Sequence, residues 1–169
     1  LCFVLAYSIG GTFIDDPKVQ RTRLNERATD QQSLITFLST VERKKVVTPG
    51  EGVLYSYIPF DSFIYYNQHN AHPASQFSER FIAIEQLTYA RTAEQLHTAL
   101  VQAYPEQIER LILFANDDLA DYSAHMHIDN VPNASVDFRI GVDKELLDSA
   151  YFERIYKNDT YIVFDVIVE

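Results

Sequence analysis

The side chains best suited to binding chemistry lie close together, between positions 56 and 80 of this chain of 169 residues. The stretch reads SYIPFDSFIYYNQHNAHPASQFSER and combines aromatic rings with amides and imidazoles. Aromatic faces stack on the apolar side of a sugar ring, while amides and imidazoles hydrogen-bond to its hydroxyls. An arginine near the start of a helix can receive a phosphate. The segment therefore suggests a sugar or phosphosugar site, and aromatic packing in the core is the alternative that the residues leave open.

Seven residues of this stretch are candidate substrate-binding side chains: Tyr57, Tyr66, His69, Asn70, His72, Gln76 and Arg80. No catalytic residue is assigned, because the chain lacks the G-x-S-x-G, H-E-x-x-H and glycine-rich phosphate-loop signatures. Five glycines in all also make a phosphate-cradling loop hard to build. We therefore expect no cofactor.

A second cluster, made of His125, His127 and Asp129, has alternating spacing. On a strand these side chains would share one face, so metal ligation is one interpretation and a solvated strand face is the other. We assign no metal site. The single cysteine, Cys2, excludes an internal disulfide and a cysteine-based zinc site.

Composition limits the class of partner. The net charge is −10 and the pI is about 4.9, so the surface repels phosphate backbones and nucleic acid is excluded as a partner. Hydrophobic residues make up 47% and charged residues 22%, which is typical of a globular chain. The length fits one domain.

Helical patterns dominate the first half of the chain. Asp30 is predicted to cap a helix that runs to about Arg43, and residues 45–48 form a short strand. Residues 53–66 are ambiguous between helix and strand. A helix over about 77–90 directs Phe81, Ile84 and Leu87 inward. Thr92 and Gln95 form a capping box for a helix that buries Leu96 and Leu100 and stops near Pro105.

Strand patterns dominate the second half. Residues 111–114 form a continuous apolar run, typical of a strand buried on both faces. Strands follow over 122–128 and 136–142, and Asp143 caps a short helix that ends at Ala150. Residues 152–156 and 161–168 form a hairpin around Asn158 and Asp159. This order predicts an α/β fold: a single compact α/β sandwich with a mixed β-sheet flanked by helices.

The N-terminus begins with an apolar run, LCFVLAYSI, over residues 1–9. A membrane span needs about 20 apolar residues, so this run is too short to cross by itself. We interpret it as the end of a transmembrane helix, with a buried core segment as the alternative. The expected organisation is the end of the last transmembrane helix and a junction at 1–14, a polar connector at 15–29, and a soluble extracytoplasmic α/β domain at 30–169.

One motif in the aromatic stretch resembles a known family. The pattern Ser56-Tyr57-x-Pro59, Phe63, His69-x-Ala71-x-Pro73 and Gln76-Phe77-x-x-Arg80 is similar to the C-terminal domain of the actinobacterial galactan arabinofuranosyltransferase A family. The resemblance continues more loosely from about Lys45 to the last strand. The motif between His69 and Arg80 is the specific part, because it combines several uncommon residues at fixed spacing.

The resemblance implies a polytopic glycosyltransferase of the cell membrane, with this domain on the extracytoplasmic face. Such enzymes transfer the first arabinofuranosyl residue from decaprenyl-phosphoryl arabinose to the galactan of the mycobacterial or corynebacterial wall. Their catalytic base lies on an early extracytoplasmic loop, so this fragment alone should be inactive and should assist acceptor binding. The alternative is a non-catalytic module of a membrane protein that binds cell-wall carbohydrate or another protein. A free-standing α/β enzyme is a third interpretation, disfavoured by the missing nucleophile-and-base constellation.

Overall fold

A computed structural model describes residues 29–48, 54, 61–64, 76–115, 120–130 and 134–168. The elements of this part, in chain order, are α1 (Thr29–Leu38), β1 (Lys45–Val47), β2 (Asp61–Ser62), α2 (Phe77–Leu87), α3 (Ala93–Val101), β3 (Arg110–Phe114), β4 (Asp121–Asn130), β5 (Ala134–Asp143), α4 (Lys144–Leu147), β6 (Phe152–Lys157) and β7 (Tyr161–Val166).

Strand β3 forms the middle of the sheet. It pairs in parallel with β1, where Val47 is opposite Leu111, and antiparallel with β7, where Ile112 is opposite Val163. Strand β2 extends the sheet in parallel beyond β1, and β6 extends it antiparallel beyond β7. The long β4–β5 hairpin joins near the end of β3. The predicted mixed sheet is therefore confirmed.

Helices cover both faces of this sheet. Ile112 is fully buried on one face, in a cluster with Leu34 and Leu38 of α1. The neighbouring residues Leu111 and Leu113 face the opposite side and pack in the larger cluster, which includes the buried side chains of α2, α3 and α4. Successive residues of β3 thus bury both faces, as the apolar run predicts. The α/β sandwich is confirmed for the described part of the chain.

Most predicted elements occur close to their expected positions. The hydroxyl oxygen of Thr92 accepts a hydrogen bond from the backbone N–H of Gln95 at 3.2 Å, which confirms the cap of α3. The returning bond of the box shifts by one residue, since the Gln95 side chain accepts from the N–H of Arg91. The carboxylate of Asp143 likewise caps α4 by accepting from the N–H of Glu145 at 2.9 Å.

The main difference between the predicted and the observed elements is the residue at which each helix ends. The first helix ends at Leu38 and does not reach Arg43. The hydroxyls of Ser39 and Thr40 donate to the backbone carbonyls of Thr36 and Phe37, so they satisfy the last turn and the helix stops there. The predicted ends of the later helices, near 90, 105 and 150, also lie beyond the observed ends at Leu87, Val101 and Leu147.

Asp30 does not act as the predicted cap, because it lies inside the first turn of α1. Its carboxylate accepts a hydrogen bond from the hydroxyl of Thr160 at 2.6 Å, and its carbonyl accepts from the amide of Asn158 at 2.8 Å. The hydroxyls of Ser33 and Tyr156 are 2.6 Å apart. Asp30 therefore joins α1 to the turn between β6 and β7. Local sequence does not reveal this long-range contact.

One ion pair is buried in the sheet. The guanidinium of Arg110 donates to both carboxylate oxygens of Asp165, from Nε at 2.6 Å and from Nη2 at 3.1 Å. Lys44 Nζ lies 2.8 Å from the same carboxylate. Partial burial raises the pKa of Asp165, but the hydrogen bonds and charges of Arg110 and Lys44 outweigh it and hold the pKa below its usual range.

The expected transmembrane end and connector, at 1–14 and 15–29, lie outside the described residues except for Thr29. Among the residues that are described, no helix is long and apolar enough to cross a membrane.

Candidate functional site

Two of the seven predicted substrate-binding residues, Gln76 and Arg80, lie in the described part of the chain. Gln76 directly precedes α2, and Arg80 lies in its first turn. The other five, Tyr57, Tyr66, His69, Asn70 and His72, lie outside the described residues, so their roles stay predictions.

Gln76 precedes α2 in an uncommon backbone conformation. Its φ of 52° and ψ of 45° are left-handed, a region that non-glycine residues enter at a cost in free energy. The side chain makes no capping hydrogen bond to the helix. Its Nε2 instead donates to the hydroxyl of Tyr104 at 3.2 Å. A left-handed residue held in this way is a reasonable mark of a functional position.

Arg80 joins three segments of the chain. Its Nη1 donates to the backbone carbonyl of Phe63 at 2.7 Å and lies 2.6 Å from Oε1 of Glu106. The guanidinium carbon lies 5.1 Å from the centre of the Phe63 ring, within the range of a cation–π contact. Arg80 thereby positions the residues after β2 and the loop after α3, and its phosphate-binding role remains a prediction.

Glu106 forms ion pairs with two cationic side chains. Besides Arg80, Lys45 at the start of β1 places its Nζ 3.2 Å from Oε2 of Glu106. Partial burial raises the pKa of Glu106, but hydrogen bonds and charges from Arg80 and Lys45 outweigh it and hold the pKa below its usual range. Asp61, whose side chain is 78% exposed, lies at the limit of ion pairing, 4.0 Å from the same Lys45 nitrogen.

We call Gln76, Tyr104, Glu106 and Asp61, with the cations Arg80 and Lys45, the Tyr104 site. Tyr104 is 60% exposed, so its ring is available to a ligand. An exposed ring, a side-chain amide and two carboxylates suit a ligand that carries an apolar face and several hydroxyls. The hydrogen bonds and ion pairs fix most of these groups before a ligand arrives, which lowers the ordering cost of binding.

Sequence reasoning missed four of these residues: Lys45, Asp61, Tyr104 and Glu106. Tyr104 and Glu106 flank Pro105, which the sequence analysis interprets only as the end of a helix. Lys45 and Asp61 are the first residues of two short strands, β1 and β2. Their charges are brought together by the parallel pairing of β1 with β2, where Lys45 is opposite Asp61. The acidic and aromatic residues around Pro105 were the available signal.

The His125 cluster lies on β4, as predicted. His125 is exposed, and its ring centre lies 6.2 Å from that of Phe114. The described side chains contain no group of three metal-ligating residues, and those of His127 and Asp129 are not among them. Metal ligation at this face therefore stays an open interpretation.

Comparison with known proteins gives one family match. A family model described as "Arabinofuranosyltransferase A C terminal" matches residues 19–163, which is most of the chain and includes every residue of the Tyr104 site. No curated protein matches the chain.

Proposed function

Because the chain belongs to the arabinofuranosyltransferase A C-terminal family, as the motif between His69 and Arg80 indicated, we propose that it is the acceptor-holding domain of a membrane arabinofuranosyltransferase. The full-length enzyme transfers the first arabinofuranosyl residue from decaprenyl-phosphoryl arabinose to cell-wall galactan. In this proposal the protein crosses the cell membrane several times, and the domain lies on the extracytoplasmic face. It contacts galactan and leaves the chemical step to other parts of the enzyme.

The Tyr104 site is the observation that carries this proposal. The ring of Tyr104 is exposed and its hydroxyl is held by Gln76, so it offers a fixed aromatic face. Glu106 offers a carboxylate whose position is set by Arg80 and Lys45. Galactan has both features that this set recognises, because each sugar combines apolar C–H groups with hydroxyls.

A non-catalytic role fits the electrostatics of Glu106 and Asp165. A general base is most effective when its pKa lies near the working pH. The pKa values of Glu106 and Asp165 are instead lowered, and both carboxylates are engaged by two cations. They are therefore weak bases, and neither is suited to deprotonating an acceptor.

A protein-interaction module remains the second candidate function. Ile82 on α2 and Tyr89 in the turn that follows it are large hydrophobic side chains that are 52% and 63% exposed. Such a surface suits contact with another protein as well as solvent. This candidate predicts that sugars do not bind the domain.

Titration of the 169-residue chain with galactan oligosaccharides, followed by NMR, separates the two candidates. We expect resonance changes at Gln76, Tyr104 and Glu106. Tyr104→Ala should weaken binding several-fold, or by about 1 kcal/mol, because it removes one stacking face. Tyr89→Ala is the matched control, since that tyrosine is equally exposed on a different surface. The proposal is wrong if no galactan binds or if both tyrosine variants lose affinity equally.

Two of the predicted substrate-binding residues, His69 and Arg80, can be tested in the same titration. His69→Ala should weaken galactan binding if the imidazole contacts a hydroxyl. Arg80→Lys is a better probe than Arg80→Ala, because lysine keeps the charge beside Glu106 while losing the planar fork. Unchanged affinity in His69→Ala and Arg80→Lys would remove both residues from the binding site and leave the structural role of Arg80.

A further inference from the structure

A second recess lies away from the Tyr104 site, between α4 and the sheet. It has a volume of about 550 Å³, within the usual range for small-molecule clefts. Its walls come from α4 and the residues just after it, and its floor comes from β4, β6 and β7. We call this recess the α4 groove.

The floor of the groove is aromatic. Tyr122, Phe152 and Phe164 line it, and each is less than a tenth exposed, with 8%, 6% and 5% of its surface accessible. The rings of Tyr122 and Phe164 are 5.9 Å apart and tilted by 40°. All three side chains belong to the larger hydrophobic cluster, so the floor is rigid.

The rim of the groove is charged but balanced. Glu145 and Asp148 contribute two carboxylates, and Lys144 and Arg154 contribute two cations. Lys144 Nζ lies 4.9 Å from the centre of the Tyr122 ring, which sets its position at the rim. The side chains of Glu145, Asp148 and Arg154 are exposed. Within the described part of the chain they make no hydrogen bond or ion pair, so they are available to a ligand.

The equal number of positive and negative side chains at the rim determines the class of ligand that the groove can bind. In a chain with a net charge of −10, a groove with equal numbers of cations and carboxylates attracts neither a polyanion nor a polycation. Carboxylates accept from hydroxyls and a guanidinium donates to them, while the aromatic floor receives apolar C–H groups. A neutral ligand that carries many hydroxyls and one apolar face meets all three requirements.

We propose that the α4 groove is a second binding site, which takes a neutral oligosaccharide. Arg154 and Asp148 hydrogen-bond to the ligand hydroxyls, and the edges of Phe152 and Phe164 contact the sugar ring. The groove shares no residue with the Tyr104 site. The proposal therefore does not depend on galactan binding at Tyr104.

Three probes test this site by NMR titration of the 169-residue chain: a short galactan oligosaccharide, a short arabinan oligosaccharide and inorganic phosphate. We expect at least one oligosaccharide to shift the backbone resonances of residues 144–149. Arg154→Ala and Asp148→Asn should each weaken that binding about tenfold. These residues are exposed and without described side-chain partners, so both variants should remain folded, which the unchanged spectrum of the core confirms.

Matched controls come from exposed carboxylates elsewhere. Glu153→Gln changes the residue next to Arg154 on β6, and Asp159→Asn changes the following turn; neither residue lines the groove. Both controls should leave binding at the groove unchanged. The proposal is overturned if neither oligosaccharide shifts residues 144–149, if only phosphate does, or if the controls lose as much affinity as Arg154→Ala.

Discussion

The side-chain amide of Gln76 donates a hydrogen bond to the hydroxyl of Tyr104 at 3.2 Å, which joins the start of α2 to the loop after α3. Gln76 holds this position from left-handed backbone, with a φ of 52°. The contact fixes an exposed ring beside the ion pairs of Glu106. Stability and ligand binding should therefore respond differently to changes at Gln76.

Gln76→Gly should separate these two effects. Glycine enters the left-handed region without steric cost, so the variant should be as stable as the original chain or slightly more stable. Gln76→Val should lose about 1–2 kcal/mol, because a β-branched residue is strained at positive φ. Urea unfolding measures both. Equal stability of the glycine and valine variants would contradict a strained position, and full sugar affinity in Gln76→Gly would contradict a binding role.

Asp165 should be far more important for stability than its neighbours in the sheet. Asp165→Asn leaves the buried guanidinium of Arg110 without its carboxylate, and breaking such a pair costs about 3–5 kcal/mol. Glu153→Gln is the control, since Glu153 is opposite Asp165 on β6 but exposed. It should change the free energy of unfolding by less than about 0.5 kcal/mol. Similar losses in the two variants would show that the Arg110 pair is not a special contributor.

Acidification should destabilise the fold through the same carboxylates. The folded-state pKa values of Asp165 and Glu106 lie below their usual values, so the contribution of these two carboxylates to stability is present above their unfolded-state pKa values. It is lost as the pH falls through the lower folded-state values. The free energy of unfolding should therefore decline from about pH 5 downward. Asp165→Asn should reduce that slope, and an unchanged slope would contradict the assigned pKa shift.

Sequence predicts those parts of the structure that are determined by neighbouring residues, and it misses those that depend on residues far apart in the chain. The cap at Thr92 and the buried strand β3 follow from neighbouring residues, so both were predicted. The end of α1 depends on the hydroxyls of Ser39 and Thr40, and the role of Asp30 depends on Thr160 at the other end of the chain. The periodicity of apolar residues reveals neither the side-chain hydrogen bonds that end a helix nor the contacts between distant segments.

The candidate site was predicted only on its α2 side for the same reason. Gln76 and Arg80 belong to a motif with fixed spacing, so they could be found by pattern. Glu106 acquires its role from Arg80 and Lys45, which approach it from two other segments. Arg110 likewise precedes an apolar run, and its burial is explained by Asp165 on the neighbouring strand and by the backbone carbonyl of Glu42, which both accept hydrogen bonds from its guanidinium.

The extracytoplasmic placement can be tested by labelling. Asp159 is exposed in the turn after β6, so a cysteine placed there is accessible without disturbing the core. In full-length enzyme freed of other cysteines, including Cys2, Asp159→Cys should react with a membrane-impermeant maleimide in intact cells. Labelling that requires permeabilised cells would place the domain in the cytoplasm and remove galactan as its ligand.

The most direct measurement of the central claim is the acceptor KM of the full-length arabinofuranosyltransferase carrying Tyr104→Ala, with Tyr89→Ala as the control. If the domain holds the acceptor, Tyr104→Ala should raise the KM for galactan several-fold and leave kcat and the donor KM close to their original values. Tyr89→Ala should change none of the three constants. An unchanged acceptor KM in Tyr104→Ala, with normal expression, would contradict an acceptor-binding role for the domain.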